Sequence, residues 1–270
     1  MRIFYSELCL IGGGIEDNVD RLIAKGAENI ELMLDGAGWN EFHLRKEEIA
    51  RSLRTKKVRY SVHVPVWGSN LTYENAQYRE TVLESYRQSI AFAALVEAGH
   101  VVLHPGACPD LHFSKEVARS RSAAAMRELA AFDRPHGIPL LVENVGTPAT
   151  SIFDEAQFAA FLDGMPDVLG YLVDVGHAHV SGWDLERLFP ALGPRFRALH
   201  LHDNDGSRDA HAPLGAGDVD WDRVLGAAAA TGRDLALVLE YNIGTDLGLL
   251  PEGKARVEAA WARASARPRA

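Results

Sequence analysis

Short apolar runs alternate with longer amphipathic segments along nearly the whole chain. In the longer segments, apolar residues recur with helical spacing, as in "YRETVLESYRQSIAFAALVEAG" and "SKEVARSRSAAAMRELAAF". Ser114 and Asp154 stand where capping residues would begin two of these helices. The apolar runs are short, as expected of strands. They recur at intervals of about 33 residues, and there are eight of them: "RIFYSELCL", "NIELML", "VRYSVHVP", "VVLHPGA", "PLLVENV", "LGYLVDVG", "RALHLHDND" and "LALVLEYN".

A strict alternation of apolar strands with helices is typical of a buried parallel sheet. Eight such units predict a single (β/α)8 TIM barrel over residues 1–262, followed by a frayed tail at residues 263–270. The rival fold is a doubly wound sheet, which usually has fewer strands and a glycine-rich phosphate loop. The stretch "IGGGIEDN" is rich in glycine but lacks the G-x-G-x-x-G spacing. The pattern therefore favours one barrel.

Charge and composition narrow the classes of partner. The chain has 270 residues and a formal net charge of -9, which argues against nonspecific binding to nucleic acid or to an anionic membrane, although a local basic groove stays possible. No stretch approaches the length of a membrane span, and the first residues do not resemble a secretory signal. Cys9 and Cys108 form no metal-binding pair. We therefore expect a reduced, cytoplasmic protein.

Imidazoles and carboxylates follow most of the apolar runs, at the ends where a barrel of this type builds its site. Taken singly, each has a structural explanation as a hydrogen-bonded core residue. Together they place several carboxylates at close range with few Lys or Arg nearby, and such acids repel one another unless a cation binds. Mixed imidazole and carboxylate ligands suit zinc, manganese or iron. The residues predicted to bind a divalent metal are His63, His104, Glu143, Asp174, His177, His200, Asp209, His211 and Glu240; His179 is assigned a supporting or structural role.

Six motifs together resemble a known superfamily: "HVPVWGSNL", "VVLHPGA", "LLVENVG", "LVDVGHAHVSGWDL", "HLHDNDGSRDAHAPLGAGDVDW" and "LVLEYN". Over residues 28–245 the chain is similar to the xylose isomerase-like, endonuclease IV-type barrels (AP endonuclease family 2), and in particular to the sugar phosphate isomerase/epimerase-like branch. The resemblance implies one to three manganese or zinc ions and a possible homo-oligomer. It also implies that the metal site of sugar epimerases and ketose isomerases is formed here by Glu143, Asp174, His200 and Glu240.

The leading hypothesis is a divalent-metal-dependent isomerase or epimerase of a small sugar, keto-sugar or related polyol. In this mechanism Glu143 and Glu240 move a proton at the carbon beside a carbonyl, and His177 orients a substrate oxygen. Sparse cations favour an unphosphorylated carbohydrate as the partner. Aromatic residues in or beside the same loops are candidates to stack on a sugar ring, with an anchoring role in the core as an equal explanation: Trp39, Trp67, Phe113, Trp183 and Tyr241.

The alternative is a multinuclear zinc phosphodiesterase or AP endonuclease-like hydrolase. The resemblance matches His63 and His104 to two histidines of the nuclease site, and His177, Asp209 and His211 to its remaining ligands. The first strand lacks the histidine typical of the nucleases, and the strand-end loops are short with few basic residues, which argues against duplex DNA as the substrate. Other metal chemistry on a carbohydrate derivative, such as a lyase or hydrolase reaction, and a non-catalytic sugar-binding barrel complete the alternatives.

Overall fold

The computed structural model of the chain describes residues 1–266. The strands are β1 (Arg2–Ser6), β2 (Asn29–Met33), β3 (Arg59–His63), β4 (Val101–Leu103), β5 (Leu140–Glu143), β6 (Leu169–Asp174), β7 (Phe196–Leu201) and β8 (Ala236–Leu239). The α-helices are α1 (Ile15–Ala24), α2 (Phe42–Arg54), α3 (Ala76–Leu95), α4 (Lys115–Asp133), α5 (Glu155–Ala160), α6 (Val175–Val180), α7 (Leu185–Leu192), α8 (Trp221–Ala230) and α9 (Leu249–Ser265).

The strands pair in chain order, all in parallel, and β1 closes the barrel against β8. This confirms the (β/α)8 barrel and excludes the doubly wound sheet, which has open edges. Helix α9 includes residues 263–265 of the segment predicted to fray, and residues 267–270 lie outside the described part of the chain. Among residues 1–266, no helix combines the length and hydropathy that crossing a bilayer requires.

Capping residues fix where several helices begin. Ser114 Oγ accepts a hydrogen bond from the amide of Val117 at the start of α4. Asp154 and Gln157 form a reciprocal capping box at the start of α5. Both caps satisfy amides that the helix itself leaves without partners. The two capping positions predicted from the sequence are therefore confirmed.

Two apolar layers separate along each strand because successive side chains point to opposite faces. Outward residues pack under the helices in one large cluster. Inward residues at mid-barrel form a second, small cluster of Phe4, Val102, Leu141, Leu172, Ala198, Ala236 and Val238. Two positions further along several of these strands, the inward residue is polar: Leu141 leads to Glu143, Leu172 to Asp174 and Ala198 to His200. A polar layer therefore covers the inner apolar core at the carboxyl end of the barrel.

Candidate metal centre

Three buried carboxylates surround one imidazole nitrogen at the carboxyl end of the barrel. We call these carboxylates and the imidazole the central donor group, which consists of Glu143, Asp174, His200 and Glu240. His200 Nδ1 lies 3.2 Å from Glu240 Oε2 and 3.4 Å from Glu143 Oε1. Asp174 Oδ2 lies 3.7 Å from the same nitrogen. The residues come from the ends of β5, β6, β7 and β8, so the sheet register alone brings together side chains that are far apart in sequence.

The central donor group requires a positive charge. Among the described residues, His200 Nδ1 is buried without a hydrogen-bond partner, although three carboxylates face it. Burial lowers the pKa of His200, but the charges of Glu240, Glu31 and Glu143 outweigh burial and raise that pKa well above its ordinary value. A proton on His200 or a divalent ion would supply the charge. One imidazole nitrogen and three carboxylates are a ligand set that suits zinc or manganese, so these residues fit the metal that the family implies.

His63 and His104 form a second group with Glu143, which we call the His63 group. Their Nε2 atoms lie 3.3 Å and 3.2 Å from Glu143 Oε2. His63 Nδ1 is 2.7 Å from the carbonyl oxygen of Val64, which can only accept, so Nδ1 carries a proton. In a neutral ring the lone pair of His63 Nε2 then faces a carboxylate oxygen, and either a proton on Nε2 or a cation between the two atoms would relieve the repulsion.

The third group, the His177 group, consists of His177, Asp209 and His211. The Nε2 atoms of His177 and His211 lie 3.0 Å and 3.3 Å from Asp209 Oδ2. Their Nδ1 atoms donate to backbone carbonyl oxygens, those of Asn144 at 2.9 Å and Glu240 at 3.1 Å. If both rings are neutral, both Nε2 lone pairs point at one carboxylate; protons on these nitrogens or a bound cation would relieve the repulsion, as in the His63 group. A backbone carbonyl that fixes the ring in this way is the usual partner of a metal-binding histidine.

Helix α6 aims His177 at the site. Asp174 is the N-cap of this helix, and its Oδ1 accepts a hydrogen bond of 2.6 Å from the amide of His177. Asn144 holds Asp174 from the neighbouring strand: its side chain donates to the carbonyl oxygen of Asp174 and accepts from the Asp174 amide. The carboxylate that ends β6 therefore also fixes the first turn of the following helix.

Sequence reasoning missed two buried residues of this centre. His202 Nε2 lies 3.0 Å and 2.9 Å from the two carboxylate oxygens of Asp174, and Glu31 Oε1 lies 2.9 Å from His200 Nε2. Each had a signal. His202 stands two positions after His200, which is the spacing that keeps side chains on one face of a strand. Glu31 is a charged residue inside the otherwise apolar run "NIELML".

A cavity of about 250 Å³ opens onto all three groups. Its lining includes Trp67, whose side chain is half exposed at the rim. The other four aromatic residues predicted to bind sugar are absent from its lining within the described residues. Trp39 and Tyr241 are buried in the core instead. The cavity is lined by Leu8, Met33, His63, Val66, Trp67, His104, Glu143, His177, Asp209, His211, Glu240 and Asn242.

Local contacts explain where the remaining candidates lie. Trp39 Nε1 donates to Glu7 at 2.9 Å, and the hydroxyl of Tyr241 accepts from the amide of Leu214 at 3.4 Å, so both rings anchor loops from the core side. Trp183 packs against Phe158, and Phe113 is 48% exposed outside the cavity. For His179, the contact is a hydrogen bond of 2.7 Å between Nε2 and Asp218 Oδ1, which agrees with a structural role.

The opposite end of the barrel has a larger cavity, about 580 Å³, with basic residues in its lining. Much of that charge is neutralised, since Lys56 pairs with Asp20 at 2.6 Å and Lys254 with Glu28 at 3.0 Å. Within residues 1–266, the clusters of three or more His, Asp or Glu donors that are close enough to share an ion all lie at the carboxyl end. The candidate chemistry is therefore at that end.

Comparisons with known proteins agree with this architecture. The chain is 25% identical to a probable endonuclease 4 of Chloroflexus aurantiacus over 262 residues, which cover 88% of this chain and 90% of that protein. A solved D-tagatose 3-epimerase-like protein superposes with a TM-score of 0.83 at 19% identity, over 98% of each chain. An IOLI protein with a bound zinc atom superposes with a TM-score of 0.82 at 16% identity, over 99% of this chain and 100% of that one.

A family model described as xylose isomerase-like TIM barrel matches residues 19–265. The match spans the barrel from the middle of α1 to the end of α9 and so includes every candidate metal ligand. The residues and the fold had pointed to the same superfamily. The chain belongs to the xylose isomerase-like TIM-barrel family.

Proposed function

We propose that the protein is a divalent-metal-dependent isomerase or epimerase of a small sugar or keto-sugar. The observation that carries this proposal is the placement of Glu143 and Glu240. Glu143 ends β5 and Glu240 follows β8, three strands further around the barrel, yet both carboxylates lie within 3.4 Å of His200 Nδ1. Two carboxylates that reach one centre from different strands can serve opposite faces of a substrate held between them.

The central donor group would hold the ion. The ion would polarise a carbonyl oxygen and so acidify the adjacent C–H bond. Glu143 would take the proton from that carbon, and Glu240 would return one from the other side, which inverts the carbon in an epimerisation. Because the Nδ1 proton of His177 is held by the Asn144 carbonyl oxygen, its Nε2 is the nitrogen left to contact a substrate oxygen.

The cavity supports a small, uncharged substrate. Its volume of about 250 Å³ lies below the range of about 300–1,000 Å³ typical of pockets for drug-sized ligands. Within the described residues its lining contains no Lys or Arg, the side chains that usually bind phosphate. Trp67 offers an aromatic face at the rim on which a sugar ring could stack. The similarity to a D-tagatose 3-epimerase-like protein also favours a sugar.

The test is exchange of solvent deuterium into sugars. Metal-loaded protein in D2O, incubated with a panel of free ketoses, is expected to place deuterium at a carbon beside the carbonyl. Glu143→Gln and Glu240→Gln should each abolish epimerisation, because inversion of the carbon needs both bases. Asp133→Asn is the matched control, because Asp133 is also buried but lies at the end of α4, where it accepts from the Ile138 amide. Epimerisation that persists in both Gln variants, or exchange that is absent from every sugar with metal bound, would refute the two-base mechanism.

A second candidate is a multinuclear zinc phosphoester hydrolase. The observation that favours it is the presence of the His63 group and the His177 group on either side of the central donor group, since a one-metal epimerase needs neither. Glu143 presents Oε1 to His200 and Oε2 to His63 and His104, so it lies between two groups. Ions in all three groups would provide Lewis-acid activation of a phosphoryl group. The relative called a probable endonuclease 4 agrees with this candidate.

Metal stoichiometry and a phosphodiester assay separate the two candidates. Protein purified without chelators is analysed by plasma mass spectrometry and then assayed with bis-p-nitrophenyl phosphate, a small phosphodiester that needs no DNA-binding groove. About one ion per chain with sugar exchange supports the epimerase. Two or three zinc ions with phosphodiester cleavage that depends on Asp209 and His211 support the hydrolase instead.

A further inference from the structure

Glu31 is a fully buried carboxylate beneath the central donor group, in the middle of β2. Its Oε1 atom lies 2.9 Å from His200 Nε2, on the side of the imidazole ring opposite Glu143 and Glu240. The ring of His200 is therefore held between one acid at Nε2 and three acids at Nδ1. Neither the sugar chemistry nor the hydrolase chemistry proposed above uses Glu31.

The strand register gives Glu31 room and a second partner. Ser6 on β1 and Ser61 on β3 are its direct neighbours in the sheet, and these small residues leave space for its side chain inside the barrel. Ser61 Oγ donates a hydrogen bond of 3.1 Å to Glu31 Oε2. His100 Nε2 lies 3.8 Å from the same oxygen. The carboxylate is thus fixed at one oxygen and presents the other to His200.

The position of Glu31 fixes which nitrogen of His200 carries the proton. Glu31 Oε1 lies 2.9 Å from His200 Nε2, and a carboxylate oxygen accepts hydrogen bonds. The contact therefore keeps a proton on His200 Nε2 and leaves the lone pair of a neutral ring on Nδ1, the atom that faces the three other carboxylates.

We propose that Glu31 is a positioning residue for the metal centre, which sets the tautomer and orientation of His200 so that Nδ1 binds the ion. The inference rests on the central donor group of the proposed function, but it concerns metal binding and is independent of the reaction. Acidic partners of metal-bound histidines generally raise the basicity of the ligand, and their loss lowers metal affinity about 10–100-fold.

The experiment measures zinc affinity by chelator competition in Glu31→Gln, Glu31→Leu and the parent. Glu31→Gln keeps the shape and an acceptor oxygen but removes the charge, so we expect a loss of about 10-fold. Glu31→Leu also removes the acceptor, so we expect a loss of about 100-fold. Asp133→Asn is the control for losing a buried acid and should bind zinc like the parent. Thermal unfolding of each metal-free protein shows whether it is folded, and Glu31→Gln alone decides if Glu31→Leu is not.

A second readout reports the tautomer itself. In the zinc-loaded parent, 1H–15N spectra should show a His200 Nε2 proton protected from exchange, and this protection should be lost in Glu31→Leu. Parent-like zinc affinity in a folded Glu31→Gln, or a zinc-loaded parent without a proton on His200 Nε2, would overturn the role of Glu31, as would a parent that binds no zinc. If the affinity losses are found but no sugar exchanges deuterium, the isomerase proposal fails and the role of Glu31 stands.

Discussion

The imidazole rings of His202 and His211 stack face to face, with centroids 3.7 Å apart and planes inclined by 12°. His202 follows β7 directly, whereas His211 lies in the loop before α8. The stack therefore holds the loop that carries His211 against the barrel, and loops are generally more mobile than the strands they connect. His211 also has a positive φ of 45°, a conformation that non-glycine residues rarely adopt unless their surroundings impose it.

Replacing His202 tests whether this stack organises the His177 group. His202→Ala removes both the stack and the hydrogen bonds to Asp174, whereas His202→Phe restores an aromatic ring but not the hydrogen bonds. We expect His202→Ala to weaken zinc binding about 10–100-fold, with partial recovery in His202→Phe. Isothermal titration calorimetry with zinc measures the affinity of each variant. Equal affinities in the two variants would mean that the ring contact contributes nothing.

Gly176 has no side chain, and this leaves the space that the His202 ring occupies. A Cβ at Gly176 would overlap the His202 ring, so Gly176→Ala forces either the ring or helix α6 to move. We expect a loss of about 1–3 kcal/mol in the free energy of unfolding, the usual range for overpacking, measured by urea denaturation of the metal-free protein. Weaker zinc binding should accompany it.

Gly226→Ala is the matched control, since Gly226 lies within α8 and its Cβ would meet no atom within 4 Å. That substitution should stabilise the protein, by about 0.5–1 kcal/mol. If Gly176→Ala is as harmless as Gly226→Ala, the close approach of His202 to α6 is not a constraint on the fold.

Metal removal should make stability depend on pH in the neutral to basic range. Burial lowers the pKa of His211, but the hydrogen bond with Asp209 and the charge of Glu240 raise it from 6.5 to about 9 in the metal-free protein. A pKa that is higher in the folded state stabilises the fold fully below pH 6.5, and this contribution disappears as the pH rises through 9. The expected loss is on the order of 3 kcal/mol.

The measurement is the unfolding free energy of chelator-treated protein between pH 6 and pH 10. Zinc-loaded protein is the comparison, because an ion replaces the proton on the imidazole and should flatten the profile over pH 7–9. His211→Gln should flatten the metal-free profile in part. A metal-free protein whose stability rises between pH 7 and pH 9 would contradict the assignment of the charge to this ring.

Much of the fold and site follows from local sequence, and the exceptions have physical reasons. The periodicity of the strands predicted the barrel, and the barrel fold predicted that Glu143, Asp174 and Glu240 lie close together, since parallel strands end at one edge.

Which aromatic residues face the cavity depends on loop packing that periodicity does not encode. Trp39 and Tyr241 lie in the core because each has a polar partner there. Trp39 contacts Glu7, and Tyr241 contacts the amide of Leu214. Glu31 could not be assigned to the site from the sequence, because a single charged residue within the apolar run "NIELML" does not show which face of the strand it occupies or what it contacts.

Of the five aromatic candidates, Trp67 is the one that lies in the lining of the cavity. Its loop is fixed by Asp35, whose Oδ2 accepts hydrogen bonds from the amides of Val66 and Trp67 at 2.7 Å and 2.9 Å. Under the proposed function, a ring held at the cavity rim would contact substrate and transition state alike, so Trp67→Ala should raise KM for the sugar with little change in kcat. Loss of one stacking contact, worth about 0.5–1.5 kcal/mol, corresponds to a rise in KM of about 2- to 12-fold.

The control is Tyr78→Ala, which removes an exposed ring that packs on Tyr73 outside the cavity. This substitution should leave both KM and kcat unchanged. A fall in kcat with KM constant in Trp67→Ala would instead place the indole among the groups that act only in the transition state.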